Sequence, residues 1–322
     1  MTIRARSISI VAIIMISCGF LIATNSKSAN LRLLNNQTSI PLSAKNNLPN
    51  NQTTSYELER VENYYEPTIS ASGAIAVYID ETNKVSQVLF EKNADRKLPI
   101  ASITKLMTAL IVLDNYSIDT KITITQKATS QKDNNGKLKA KEEFTIGDLL
   151  YPMLVESDNG VAYVLAEKDG ADLFIKKMND RAKDIGLNST IFFNPTGLDP
   201  DNSKKIINQS TARDIYLLTT YLLDKPLIWE VLKTSRINFY SSGNVFHHEI
   251  ISTNEFLENR PVLWKDRVIG GKTGWTIEAN GCLMLVVNTQ SGQGKIIAVI
   301  LGADDRFKEM EKLIDWVFSN YR

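Results

Sequence analysis

Cys282-Leu-Met-Leu-Val-Val-Asn-Thr289 and Lys295-Ile-Ile-Ala-Val-Ile-Leu-Gly302 are two apolar runs of strand length, joined by a turn at Ser291-Gly-Gln-Gly294. Short apolar runs bounded by turn residues read as strands. Two strands alone do not make a stable sheet, so partners must come from elsewhere in the chain. Ala74-Ile-Ala-Val-Tyr-Ile79 and Val85 to Phe90, separated by Glu81-Thr-Asn-Lys84, read as a hairpin at the other end. Between the two ends the pattern is helical. Ser102 to Leu113 carries Ile103, Leu106, Met107, Leu110 and Leu113 at helical spacing. Gly147 to Val155 and Val161 to Glu167 read as helices broken at Ser157-Asp158-Asn159-Gly160. Ala171 to Ile185, stopped by Gly186, and Thr211 to Leu223 follow, and Phe307 to Phe318 closes the chain. Strands at both ends with helices between them predict one α+β domain whose sheet is completed by its C-terminal strands.

The 322 residues are 43% hydrophobic and 23% charged, which is enough apolar material for a full core. Thirty-seven basic residues against 36 acidic ones leave a net charge of +1, so no nucleic-acid partner is expected. Of two Cys, one lies in an apolar N-terminal stretch, which argues against a disulfide scaffold and a cysteine-rich zinc site. The two His are adjacent, at His247 and His248, so a Ser-His-Asp triad would have to draw on that one spot. His247-His248-Glu249 lacks the spacing of a helical zinc motif and reads as loop or strand. No metal and no cofactor are expected.

Arg4 and Arg6 precede an almost wholly apolar run from Ile8 to Ile22, the pattern of an export signal or an uncleaved membrane anchor over residues 1–25. Residues 26–67 are rich in Asn, Ser, Thr and Gln and read as a disordered tether, because such a segment buries too little apolar surface to offset its ordering entropy. The folded domain is expected over 68–322, outside the cytoplasm.

Three short motifs occur in order: Ser102-Ile-Thr-Lys105, Ser157-Asp158-Asn159 and Lys272-Thr273-Gly274. Each alone has an ordinary structural explanation. Ser102 can cap its helix, Lys105 can lie along the surface, and Ser157-Asp-Asn-Gly can simply break a helix. Together they supply a chemistry. A serine hydroxyl is a poor nucleophile until a base takes its proton, and a lysine becomes that base when burial or a second cation lowers its pKa. Ser102 and Lys105 are three apart and share a helix face. Lys272 is the second cation and attracts a substrate carboxylate. Ser157 is placed to relay a proton to a leaving amine and Asn159 to hold a substrate amide. The backbone N–H groups of Ser102 and Trp275 form the expected oxyanion hole. Gly271-Lys272-Thr273 is not a phosphate loop, because Asp266 stands where that motif needs glycine.

On these residues the chain resembles the serine-type D-alanyl-D-alanine carboxypeptidases, the low-molecular-mass penicillin-binding proteins, from about Ser70 to Tyr321. Phe193-Asn-Pro-Thr-Gly-Leu198, Ser210-Thr-Ala-Arg-Asp214 and Gly270-Gly-Lys-Thr-Gly-Trp-Thr276 extend the similarity beyond the three motifs. The resemblance implies the serine β-lactamase and penicillin-binding-protein transpeptidase-like fold, an antiparallel sheet flanked by helices with a helical lobe. It implies removal of the terminal D-Ala from peptidoglycan stem peptides ending in D-Ala-D-Ala through an acyl-Ser102 intermediate. It also implies acylation of the same serine by β-lactam antibiotics. Ser102, Lys105 and Ser157 are then catalytic. Asn159, Lys272, Thr273, Gly274, Trp275, Thr276 and, near the last strand, Arg306 bind substrate. A D,D-endopeptidase shares this chemistry. A class A β-lactamase needs a glutamate to activate its deacylating water, and there is none between Lys168 and Trp229. A non-catalytic wall-binding protein on the same fold is expected to lack Ser102, Lys105 or Lys272. Many relatives carry a further β-rich domain and a C-terminal membrane helix, so any membrane attachment of this chain is expected through its N-terminal segment.

Overall fold

The protein is described by a computed structural model over residues 57–60, 65–80, 85–132, 134, 137–200, 206–241 and 243–322. The expected export segment 1–25, most of the expected tether and the turn at Glu81–Lys84 lie outside the described residues.

The central element is a five-stranded antiparallel sheet. The N-terminal hairpin contributes β1 (Gly73–Asp80) and β2 (Val85–Lys92). Two short pairs of strands follow in the chain: β3 (Leu98–Pro99) with β6 (Gln209–Ser210), and β4 (Lys121–Thr123) with β5 (Glu143–Thr145). A hairpin of β7 (Arg236–Ser241) and β8 (Val245–Ile251) comes next. The C-terminal part adds β9 (Val268–Thr276), β10 (Asn280–Asn288) and β11 (Lys295–Ala303) to the large sheet. The order is β2-β1-β11-β10-β9, so the first and last strands of the domain are neighbours and β9 is an edge. The predicted completion of an N-terminal hairpin by C-terminal strands is therefore observed.

Alternation along the central strands divides the core in two. Ile75, Val77, Met284, Val286, Ile297 and Val299 face one layer. Ala74, Ala76, Leu283, Leu285, Ala298 and Ile300 face the other. Because both faces are covered, these strands read as continuous apolar runs. Each Val, Leu, Ile or Met among them contributes about 1.5–3 kcal/mol by leaving water, and each Ala less. One layer is closed by α8 (Arg306–Asn320), capped by Asp305, which accepts from Phe307 N and Lys308 N at 3.0 Å each. The other layer holds the helical lobe: α1 (Lys105–Asn115), α2 (Gln126–Thr129), α3 (Ile146–Leu154), α4 (Asn159–Glu167) and α5 (Ala171–Asp184), followed by α6 (Ala212–Leu222) and α7 (Pro226–Leu232).

Local signals account for the helix starts. Thr145 and Asp148 form a reciprocal capping box on α3. Asp158 accepts from Val161 N at 2.9 Å at the start of α4, and Thr211 accepts from Asp214 N at 2.9 Å at the start of α6.

The described part of the stretch expected as tether lies on the domain. Glu59 and Arg322 exchange backbone hydrogen bonds of 2.9 and 3.0 Å, and the Arg60 guanidinium lies 5.9 Å from the Trp316 ring centroid. Tyr65 O accepts from Trp316 Nε1. Most of these contacts use backbone groups of the segment, which its polar composition does not reveal. Among the described residues no helix is long and apolar enough to cross a membrane.

Candidate active site

Ser102 does not start an α-helix, as the periodicity predicts, but lies in a 3-10 turn, Ala101–Thr104, that runs into α1. A 3-10 turn eclipses residues three apart, so it aligns Ser102 with Lys105 more directly than an α-helix does. Ser102 Oγ accepts from Lys105 Nζ at 2.8 Å and caps nothing. The turn is strained: Ala101 has φ +44°, a left-handed conformation costing a non-glycine residue roughly 1–2 kcal/mol.

Two glycines let other segments close on this turn. A Cβ on Gly197, whose φ is +85°, would fall 2.0 Å from Ala101 O and 2.9 Å from Ser102 N. A Cβ on Gly274 of β9 would fall 3.0 Å from Ser102 N. The nucleophile turn is thus flanked by the Gly197 loop and the edge strand.

Lys105 is fully buried. Besides Ser102 its ammonium donates to Asn159 Oδ1 and to Thr196 O, both at 2.7 Å. Burial lowers its pKa to about 7, against the opposing pull of Asp158. When deprotonated it keeps two N–H bonds and has one lone pair left for the third partner, so it can donate to Asn159 and Thr196 while accepting from Ser102. The geometry fits a general base next to its nucleophile.

Ser157 lies in the sharp break between α3 and α4, with φ +66°. Its Oγ accepts from Lys272 Nζ at 2.8 Å. Lys272 is 1% exposed and also donates to Thr273 O at 2.9 Å. Burial first, then the charges of Lys105 and Arg306, hold the Lys272 amine well below the ordinary lysine range. The three sequence motifs therefore converge: Ser102, Lys105 and Asn159 are joined by hydrogen bonds, as are Ser157 and Lys272.

Asn159, expected to hold a substrate amide, also takes part in the surroundings of the base. Its oxygen faces Lys105, and its Nδ2 donates to Lys132 O at 3.0 Å. It is the first residue of α4, so its side chain leaves the helix start toward α1. Thr273 is buried, its hydroxyl 2.6 Å from that of Thr253. Thr276 donates to Asp199 Oδ1 at 2.9 Å and accepts from Ala279 N at 3.1 Å, which ties down the β9–β10 turn. Trp275 is 60% exposed and Ile277 81% exposed, forming an apolar rim beside the strand edge. Arg306, the first residue of α8, has its guanidinium 4.8 Å from the Phe307 ring centroid, and its buried Nε has no hydrogen-bond partner among the described residues. A buried, unpartnered guanidinium N–H beside Lys272 is a place for an anion.

Several supporting residues carry no motif of their own. Asn194 Oδ1 accepts from Thr196 N, Thr196 Oγ1 and Gly197 N at 3.1, 2.9 and 2.7 Å, which fixes the carbonyl that Lys105 uses. Asn208 donates to Thr104 Oγ1 at 3.0 Å and Asn194 O at 2.9 Å. Asn-Pro followed by Gly marks the turn in sequence, but its partner in space is not readable there. Among the described residues no group of three or more His, Cys, Asp or Glu is arranged to hold a metal.

Comparison with known proteins places this geometry. The D-alanyl-D-alanine carboxypeptidase family profile matches residues 60–305. The carboxypeptidase DacF of Bacillus subtilis is 29% identical over 73% of this chain, which spans 60% of that protein's length. A D-alanyl-D-alanine endopeptidase of Escherichia coli is 31% identical over 78% of each chain. A penicillin-binding protein of Listeria monocytogenes, solved with cefotaxime bound, superimposes with a TM-score of 0.64 and 28% identity, covering 79% of this chain and 99% of that one. The antiparallel sheet flanked by helices is the penicillin-binding-protein fold, as expected. With a buried lysine on its serine, the chain belongs to the D-alanyl-D-alanine carboxypeptidase family of serine peptidases.

Proposed function

We propose that the chain removes the terminal D-Ala from peptidoglycan stem peptides ending in D-Ala-D-Ala, through an acyl-Ser102 intermediate, and that β-lactams acylate the same serine. The observation that carries this reading is the 2.8 Å bond between Lys105 Nζ and Ser102 Oγ, made by a lysine with a pKa of about 7. Neutral Lys105 takes the Ser102 proton as Oγ attacks the penultimate carbonyl carbon. The developing oxyanion lies at the backbone N–H groups of Ser102 and Trp275. As the C–N bond breaks, Ser157 passes its proton to the leaving amine and receives one from Lys272. Proton exchange with solvent returns Lys105 to its neutral form and Lys272 to its charged one; water then attacks the ester with Lys105 again as base, and Ser102 Oγ takes a proton back as it leaves. Lys272 and Arg306 hold the terminal carboxylate, and Thr273 and Gly274 line the strand edge along which the peptide lies.

Cleavage of cross-links is the second reading, favoured by the similarity to the E. coli endopeptidase. A β-lactamase is disfavoured by the absence of glutamate between Lys168 and Trp229. A purely wall-binding role is disfavoured by the intact Ser102–Lys105 and Ser157–Lys272 pairs. The apolar run Ile8 to Ile22 supports export to the cell-wall side of the membrane, with that segment as leader or anchor.

The test is intact-mass analysis with penicillin beside a Ser102→Ala control. A stable adduct on the wild type alone supports the reading. Hydrolysed penicillin without an adduct points to a β-lactamase, and intact penicillin without an adduct to a binding protein. Release of D-Ala from a stem pentapeptide, against cleavage of a cross-linked dimer, separates the two peptidase activities.

A further inference from the structure

Glu156 is buried, with a side chain only 6% exposed, directly before the strained serine. Its carboxylate receives Lys137 from the loop after α2 on one oxygen, and His248 Nε2 from β8 at 3.2 Å on the other. His248 Nδ1 lies 2.6 Å from His247 Nδ1, and His247 Nε2 lies 3.3 Å from Glu142 Oε2. The rings pack edge-on against Phe239 of β7, and His247 also against Phe144 of β5. One chain of polar contacts thus runs Glu142–His247–His248–Glu156–Lys137 and ends beside Ser157.

We propose that Glu156 is a positioning residue for Ser157, gripped through a His247–His248 pair that carries one proton in excess of neutrality. This rests on the role of Ser157 in the proposed peptidase reaction. The proton count follows from the contacts. Each Nε2 faces a carboxylate and needs an N–H. The Nδ1–Nδ1 contact needs one N–H and one lone pair. Three N–H groups on two rings mean a single positive charge, since two neutral rings carry only two. Burial lowers the His248 pKa below the ordinary imidazole value, against the pull of Glu156. A second proton places N–H groups on both Nδ1 atoms at 2.6 Å and forces the rings apart. Removal of the shared charge leaves two N–H groups for three contacts, so one of them loses its hydrogen. The grip on Glu156 therefore has a pH window.

The experiment measures penicillin acylation of the full chain, resolved into a limiting rate and a half-saturating concentration. Wild type, Glu156→Ala and Glu156→Gln are compared, with melting temperatures in parallel. The limiting rate of Glu156→Ala falls by about tenfold at a half-saturating concentration within twofold of wild type, because Ser157 is displaced while the carboxylate site is intact. Glu156→Gln keeps an acceptor for Lys137 but turns its amide N–H toward the His248 Nε2–H, so it recovers only part of that loss. Long-range proton–nitrogen NMR of the wild type near neutral pH shows both Nε2 atoms protonated and one proton on the Nδ1 pair. That readout also serves if Glu156→Ala does not fold. A limiting rate in Glu156→Ala equal to wild type overturns the proposal, as do two neutral imidazoles in the NMR spectra. A wild type that takes up no penicillin overturns the functional reading itself, and with it any role for Ser157.

Discussion

The Asn159 side-chain oxygen accepts a 2.7 Å hydrogen bond from Lys105 Nζ, across 54 residues of sequence. Asn159 therefore helps to hold the base in place. Its other end is held by Lys132 O, so the amide cannot turn away without breaking both bonds. A hydrogen bond to a charged or reacting group is worth about 1.5–3 kcal/mol. Asn159→Ala should lower the rate of acylation by penicillin roughly tenfold or more, with a much smaller effect on its half-saturating concentration. A rise in that concentration alone would return Asn159 to a substrate-binding role.

The acylation rate should rise with pH and level off above about 7, as Lys105 loses its proton. The same shift acts on stability. Between about 7 and the ordinary lysine range the unfolded chain binds a proton that the folded site does not. Over that window folding stability contributed by Lys105 increases with pH, and below it buried Lys105 is charged at a cost. Stopped-flow acylation and chemical denaturation across pH 6–9 check the two slopes; a flat acylation profile would rule out Lys105 as the titrating base.

Gly197→Ala should be among the most damaging single changes. A methyl group there meets Ala101 O at 2.0 Å, and the backbone has φ +85°. Left-handed strain and overpacking together cost about 2–5 kcal/mol. Thermal melting should show a clear loss of stability, and any folded fraction should acylate slowly, since the same methyl group displaces the Ser102 turn.

Arg306 is the arginine proposed to bind the substrate carboxylate. Its Nε is buried and unpartnered among the described residues, and its charge reaches Lys272. Arg306→Ala should raise KM for a peptide with a free terminal carboxylate by about 10–100-fold, the scale of a lost charge-assisted hydrogen bond. A peptide amidated at that carboxylate should be nearly indifferent to the change. Equal losses for both peptides would assign Arg306 to holding the fold.

The centre of the sheet was legible because β1, β10 and β11 are buried on both faces and hence continuously apolar. The β7–β8 hairpin was not, because its Arg-Ile-Asn-Phe-Tyr-Ser and Val-Phe-His-His-Glu-Ile-Ile strands mix polar and apolar residues around a register shift. The short α7 was missed as well: seven residues, Pro226–Leu232, show too little periodicity to separate from a loop.

Ordered motifs by themselves determined the class of chemistry. A serine three residues before a lysine, a Ser-x-Asn in a helix break and a Lys-Thr-Gly before the last strands allow few other uses. Tertiary structure alone decided how those groups divide the work. Lys105 has a pKa of about 7 because the fold buries it and brings Asn159 and Thr196 O to its ammonium. Lys272 lies on Ser157, Asn159 turns to the base, and Glu156 is gripped by a histidine from a distant hairpin. Desolvation and hydrogen-bond direction depend on what surrounds an atom in space, and no spacing along the chain encodes them.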